Sequence, residues 1–137
     1  MKNQKNLKLG HNKKTFLDKP IEHIDITSFD SRKIIESMDK MSFTSRDTAK
    51  ASGIFNEMLS DKDCTIFLTL AGSTSAAGCM KIYSDMIKYN MIDVVVATGA
   101  SIIDMDFFEA LGFKHYQGSQ FQDDTQLREN YIDRIYD

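Results

Sequence analysis

The sequence predicts an α/β fold in which short parallel strands lie between flanking helices. Two observations carry this expectation. Residues 64–70 (CTIFLTL) and 93–98 (DVVVAT) are short, nearly continuous apolar and β-branched runs, as strands buried on both faces require. Between them Ala77, Met80, Tyr83 and Ile87 recur at helical spacing. A strand, a helix and a second strand in that order predict a right-handed parallel crossover.

Before that unit the chain is helical. Ile34, Ile35, Met38 and Met41 share one face of a helix over residues 29–41, with Asp30 or Ser31 placed to cap it. Ala51, Ile54, Phe55, Met58 and Leu59 form the apolar stripe of a second helix over residues 45–60, and Asp61, Lys62 and Asp63 break it. The helix after the first strand stops at Asn90, and a short helix over residues 102–111 after the second strand stops at Gly112. Residues 118–124 form a polar loop. Leu127, Tyr131 and Ile135, four apart, predict a final helix. Two parallel strands leave two unpaired edges, so further strands are expected from elsewhere, either missing chain or another polypeptide.

Composition bounds the function. The chain has 137 residues, 42% hydrophobic and 27% charged, with a net charge of −3, so it offers no strong electrostatic case for nucleic acid or membrane. No run approaches the ~20 apolar residues of a membrane span. Lys2, Lys5, Lys8, Lys13 and Lys14 precede no apolar stretch of the kind a signal peptide needs. A soluble, cytoplasmic protein is therefore expected. Residues 1–19 are polar and basic, with no acidic residue before Asp18, and read as a flexible tail or as an arm reaching a partner subunit or acidic ligand. Pro20 ends this section, and residues 20–137 form the domain. Cys64 and Cys79 lack metal-binding spacing and read as free thiols, more simply packed as small hydrophobes.

The strand ends are where chemistry is expected. Ligands of open α/β sheets bind outside the carboxyl ends of the strands, at helix N-termini. Both ends carry small residues here: Gly72, Ser73, Thr74, Ser75 and Ala76 after the first strand, Thr98, Gly99, Ala100 and Ser101 after the second. Such turns let a phosphate approach backbone N–H groups, and the hydroxyls add hydrogen bonds. The plainer reading is that Gly72 and Gly99 only make tight turns, for no GxGxxG or GxxxxGK[ST] is present. Asp104 and Asp106 follow the second turn. They sit either as carboxylates favoured near a helix start or as contacts to a ribose hydroxyl or an amine. His115 reads as a surface or hydrogen-bonded histidine.

The stretch CTIFLTLAGSTSAAGCMKIYSDMIKYNMIDVVVATGASIIDMDFFEALG (64–112) resembles the N-terminal nucleotide-binding region of deoxyhypusine synthase, and more closely the bacterial and archaeal deoxyhypusine synthase-like proteins. PIEHIDI (20–26) and LREN (127–130) extend the likeness over nearly all of the chain after the tail. The resemblance implies a Rossmann-like parallel sheet with flanking helices, here the incomplete N-terminal portion of that fold. It implies a homotetramer with active sites between subunits. It implies an NAD-dependent transferase that oxidises spermidine, carries the aminobutyl group on a catalytic lysine as an imine, and passes it to a protein lysine or a small amine.

By position, Gly72, Ser73, Thr74, Ser75 and Ala76 match one NAD-contacting segment of the family, and Thr98, Gly99 and Ala100 another. Asp104 matches an acidic residue near the cofactor and spermidine. Ile103 stands where the eukaryotic enzymes carry a second acidic residue, and Gly72-Ser73 replaces their Ser-Asn pair, which favours the synthase-like branch. No lysine here matches the catalytic one, which lies in the family's C-terminal part. The chain is then expected to be inactive alone and to need a C-terminal half or a full-length subunit. The alternative is a non-catalytic truncated paralogue that assembles with a full-length enzyme and regulates it. A small stand-alone α/β nucleotide binder is a third reading, disfavoured by the unpaired strand edges.

Overall fold

A computed structural model of the chain describes residues 13–135. The basic residues 1–12, which include most of the expected tail and its possible role as an arm, lie outside the described residues, as do 136 and 137. Within the rest of that stretch, Lys13–Phe16 forms one helical turn, α1.

Two helices follow, α2 (Arg32–Met38) and α3 (Phe43–Ser60), packed on each other. Ser31 occupies the N-cap position of α2 without using its hydroxyl. The Asp30 carboxylate instead accepts the Arg32 N–H at 2.9 Å and pairs with the Arg32 guanidinium, which holds the Asp30 pKa down to about 2. The α3 helix starts at Phe43, in the left-handed region at φ 56°, and breaks at Asp61.

The predicted parallel strand–helix–strand order is present. Strand β1 (Phe67–Leu70) pairs in parallel with β2 (Val94–Ala97), Phe67 opposite Val94 and Leu70 opposite Ala97. Between them lie a kinked turn (Ser75–Cys79) and helix α4 (Met80–Lys88), which ends near Asn90 in the left-handed region at φ 53°. After β2 come α5 (Gly99–Ser101), a wide π-type turn (Ile102–Phe107) and α6 (Phe108–Ala110). The ladder begins at Phe67 rather than Cys64. The backbone just before it is tied differently: the Ile66 N–H donates to the Asp93 carboxylate at 2.7 Å, while the Ile66 carbonyl accepts the Asp93 N–H at 2.9 Å.

Two expectations need correction. The final helix, α7, spans Asp124–Glu129, and of the predicted face only Leu127 lies in it and is buried. Asp123 caps it by accepting the Gln126 N–H at 2.9 Å, and Tyr131, at φ 57° and 84% exposed, turns the chain away before Ile135. Nor are the strands buried on both faces. Side chains alternate across a strand, and the face carrying Phe67 and Val96 is open, at 59% and 53% exposure. The reason is the size of the core. Among the described residues the buried apolar side chains are Ile66, Ala76, Ile92, Met105 and Leu127, all close to the crossover or its turns except Leu127. No residue of α2 or α3 is buried; of their apolar stripes Ile35, Met38, Phe55 and Met58 are half-buried, while Ile34 and Ile54 stand exposed.

Candidate functional site

The two small-residue turns lie side by side because their strands pair in register. Ser101, fully buried, donates its hydroxyl to the Gly72 carbonyl at 2.8 Å, and the Ala76 N–H points to the Met105 Sδ at 3.4 Å. These contacts join the end of β1 to the start of the chain after β2. They bring together Gly72, Ser73, Thr74, Ser75 and Ala76 on one side and Thr98, Gly99 and Ala100 on the other.

The two sides differ in burial. Ser75 and Ala76 are buried, Ser73 and Thr74 half-buried, and Gly72, Thr98, Gly99 and Ala100 exposed. Gly72 adopts φ +74°, which an L side chain rarely takes, and nothing lies within 4 Å of the position a Cβ would occupy there or at Gly99. The Thr74 hydroxyl, the Ser75 hydroxyl and one Asp106 carboxylate oxygen are buried without a hydrogen-bond partner among the described residues. Buried polar groups are ordinarily paired, so these atoms mark the turns as chemically unfinished. The open space at Gly72 and Gly99 leaves the backbone of both turns approachable by a ligand. Asp104 sits in the first turn of Ile102–Phe107, exposed, its carboxylate making no hydrogen bond among the described residues.

A second polar cluster lies behind the turns. Glu109, on α6, receives His115 Nδ1 on one oxygen and His23 Nε2 on the other, each at 2.6 Å. Burial pushes the Glu109 carboxyl up, but the hydrogen bonds from His115 and His23 outweigh it and leave the pKa lowered. His115 is thus hydrogen-bonded, as expected. The roles of His23 and Glu109 were not legible in the sequence: the two residues are 86 positions apart, and no periodicity links them. Among the described residues no group of His, Cys, Asp and Glu could hold a metal ion, and no helix is long and apolar enough to cross a membrane. Both cysteines are free and half-buried.

The class so defined is an α/β domain with a candidate ligand site at the carboxyl ends of two adjacent parallel strands. The family model for deoxyhypusine synthase matches residues 33–137, and the chain belongs to that family. A deoxyhypusine synthase-like protein of Coxiella burnetii (strain RSA 493 / Nine Mile phase I) is 66% identical over 137 residues, covering 100% of this chain and 39% of the relative. One of Caulobacter vibrioides is 66% identical over 128 residues, covering 93% and 35%. A probable deoxyhypusine synthase 2 of Methanosarcina acetivorans is 39% identical over 129 residues, covering 94% and 36%. The chain therefore spans less than two fifths of the length of these relatives, and corresponds to an N-terminal part.

Proposed function

We propose that this chain is the N-terminal, NAD-contacting portion of an NAD-dependent aminobutyl transferase of Rossmann-like fold that uses spermidine or a related polyamine and passes the aminobutyl group to a protein lysine or a small amine. The observation that carries the reading is the pair of turns. Two small-residue segments, held together by Ser101 and Gly72, stand at the carboxyl ends of parallel strands in a chain of the deoxyhypusine synthase family. Gly72, Ser73, Thr74, Ser75, Ala76, Thr98, Gly99 and Ala100 would hold the cofactor, through backbone N–H groups and hydroxyls. NAD supplies an acceptor for the hydride removed from the amine. Asp104, exposed and unpaired, would take a ribose hydroxyl or the cationic amine.

The catalytic lysine is assigned to a C-terminal half or a full-length subunit, with which this chain forms an oligomer, a tetramer as the resemblance implies. The test is to assay the 137-residue chain, the C-terminal part of a relative and the two together for NAD binding and spermidine-dependent formation of reduced nicotinamide. Turnover only from the mixture supports the reading. Full turnover from the 137-residue chain overturns the division of labour, and absence of NAD binding by the assembled mixture overturns the cofactor assignment. Assembly with a full-length enzyme that changes its rate, without NAD binding by this chain, would instead identify a regulatory paralogue.

A further inference from the structure

Residues 19–25 run as a strap that bonds first to the chain following the second turn, through residues 19 to 23, and then to the chain following the first turn, through residues 24 and 25. On the side of the second turn, the Ile21 N–H donates to the His115 carbonyl at 2.8 Å and the Lys19 carbonyl accepts the Gln117 N–H at 2.8 Å. Pro20 bridges Tyr116 in antiparallel fashion, and His23 binds Glu109 at 2.6 Å. On the side of the first turn, the Ile24 N–H donates to the Gly78 carbonyl at 2.9 Å, and Asp25 lies 3.7 Å from Lys81 Nζ, on the first residues of α4. The Glu22 carbonyl occupies the space beside Gly78, 3.1 Å from where a Cβ would stand. Gly78 belongs to the kinked turn after β1, and Glu109 to the helix that continues from the turn after β2.

We propose that this strap sets the spacing of the two turns, with His23 as its central positioning residue. Among the described residues the direct ties between the two sides are the Ser101–Gly72 hydrogen bond, the Thr98 N–H to Leu70 carbonyl bond at 3.2 Å, the Ala76–Met105 contact and a four-residue strand ladder. The ladder fixes the register of the strands, but beyond it the helix starts are held to each other by those side-chain and turn contacts alone. The strap opposes a shift of one against the other, because moving either turn breaks bonds on the same short segment. His23 is the side-chain link from the segment carrying Ile24 and Asp25 to the half-buried carboxylate of Glu109 on α6. Its Nε2–H donates to Glu109, so the bond needs a donor at that position and not an imidazole as such.

The inference builds on the reading of the turns as one nucleotide site, but its test uses no nucleotide, so the two can fail separately. Amide hydrogen exchange is measured residue by residue on the 137-residue chain, its His23→Leu variant and its His23→Gln variant, whose amide places a donor near Nε2. The reporters are the Ala77 N–H, bonded to Ser73, and the Ser101 N–H, bonded to Thr98; the controls are the Tyr89 and Leu127 amides. His23→Leu should speed exchange at Ala77 and Ser101 by about tenfold or more and change the controls by less than about twofold, with His23→Gln restoring most of the protection. Faster exchange confined to Ile21 and Ile24 overturns the proposal, because the strap would then be a passenger. Equal acceleration at reporters and controls overturns it too, as ordinary destabilisation. If His23→Leu does not fold, Glu109→Gln, which keeps the side chain's shape, is judged by the same criterion.

Discussion

The Ser101 hydroxyl donates to the Gly72 carbonyl at 2.8 Å, tying the first residue of the β1 turn with a left-handed φ to the last residue of α5. Ser101 is 0% exposed while Gly72 is exposed, so the bond lies at the boundary with solvent. Removing it in Ser101→Ala leaves the Gly72 carbonyl, at an exposed residue, free to find solvent. The cost should therefore fall in the range of one ordinary hydrogen bond, about 0.5–1.5 kcal/mol. Denaturant titration reads this loss directly. If the two turns form the one NAD site proposed above, the same variant in the assembled mixture should weaken NAD binding more than its effect on stability explains.

Gly78 sets a stricter limit. Its φ of +103° disfavours any L side chain, and the Glu22 carbonyl at 3.1 Å leaves a Cβ too little room. The contact is with backbone, which cannot swing aside as a flexible side chain would. Gly78→Ala should cost about 1–3 kcal/mol and displace the strap. Thermal unfolding would show the loss, and faster exchange of the Ile24 amide, bonded to the Gly78 carbonyl, would locate it.

Glu109 makes stability depend on pH. Its folded-state pKa is lowered from the ordinary 4.5, because the His115 and His23 hydrogen bonds outweigh burial. A carboxyl lowered in this way stabilises the fold fully above its ordinary value, and the contribution disappears as pH falls through the lowered one. Melting temperature measured from about pH 6 to pH 3 should fall for the parent chain, and Glu109→Gln should flatten part of that slope. An unchanged slope in the variant would mean that other carboxylates carry the acid transition.

The sequence made the crossover legible because a parallel strand and an amphipathic helix both write a local period. Residues 64–70 and 93–98 each contain an observed strand, and Asn90 and Gly112 take the left-handed conformations that end helices. The small-residue turns were legible for the same reason, since Gly72 and Ser101 sit at strand ends that the apolar runs define. What stayed hidden is long-range. His23, Glu109 and His115 belong to three separate segments, and nothing in their spacing announces a shared carboxylate. The final helix was overextended because Leu127, Tyr131 and Ile135 keep helical spacing, while the backbone at Tyr131 leaves the helical region. Burial was overestimated for a physical reason as well. Apolar periodicity reports which faces are suited to burial, and here Ile34, Ile54, Phe67 and Val96 on those faces stand exposed.

That mismatch carries the last prediction. Phe67 and Val96 project from one face of the β1–β2 pair at 59% and 53% exposure, on strands whose composition suits a sheet covered on both sides. A lysine at either position meets water in the isolated chain, so Phe67→Lys and Val96→Lys should change its stability by less than about 1 kcal/mol. Where the assembly proposed above covers this face, an ammonium buried there without a partner is strongly unfavourable. The variants should therefore fold alone but fail to assemble with a C-terminal part, as measured by analytical ultracentrifugation and by loss of turnover in the mixture. Normal assembly of Phe67→Lys would show that the open face remains at the surface of the complex, and would remove the covered sheet from the proposed architecture.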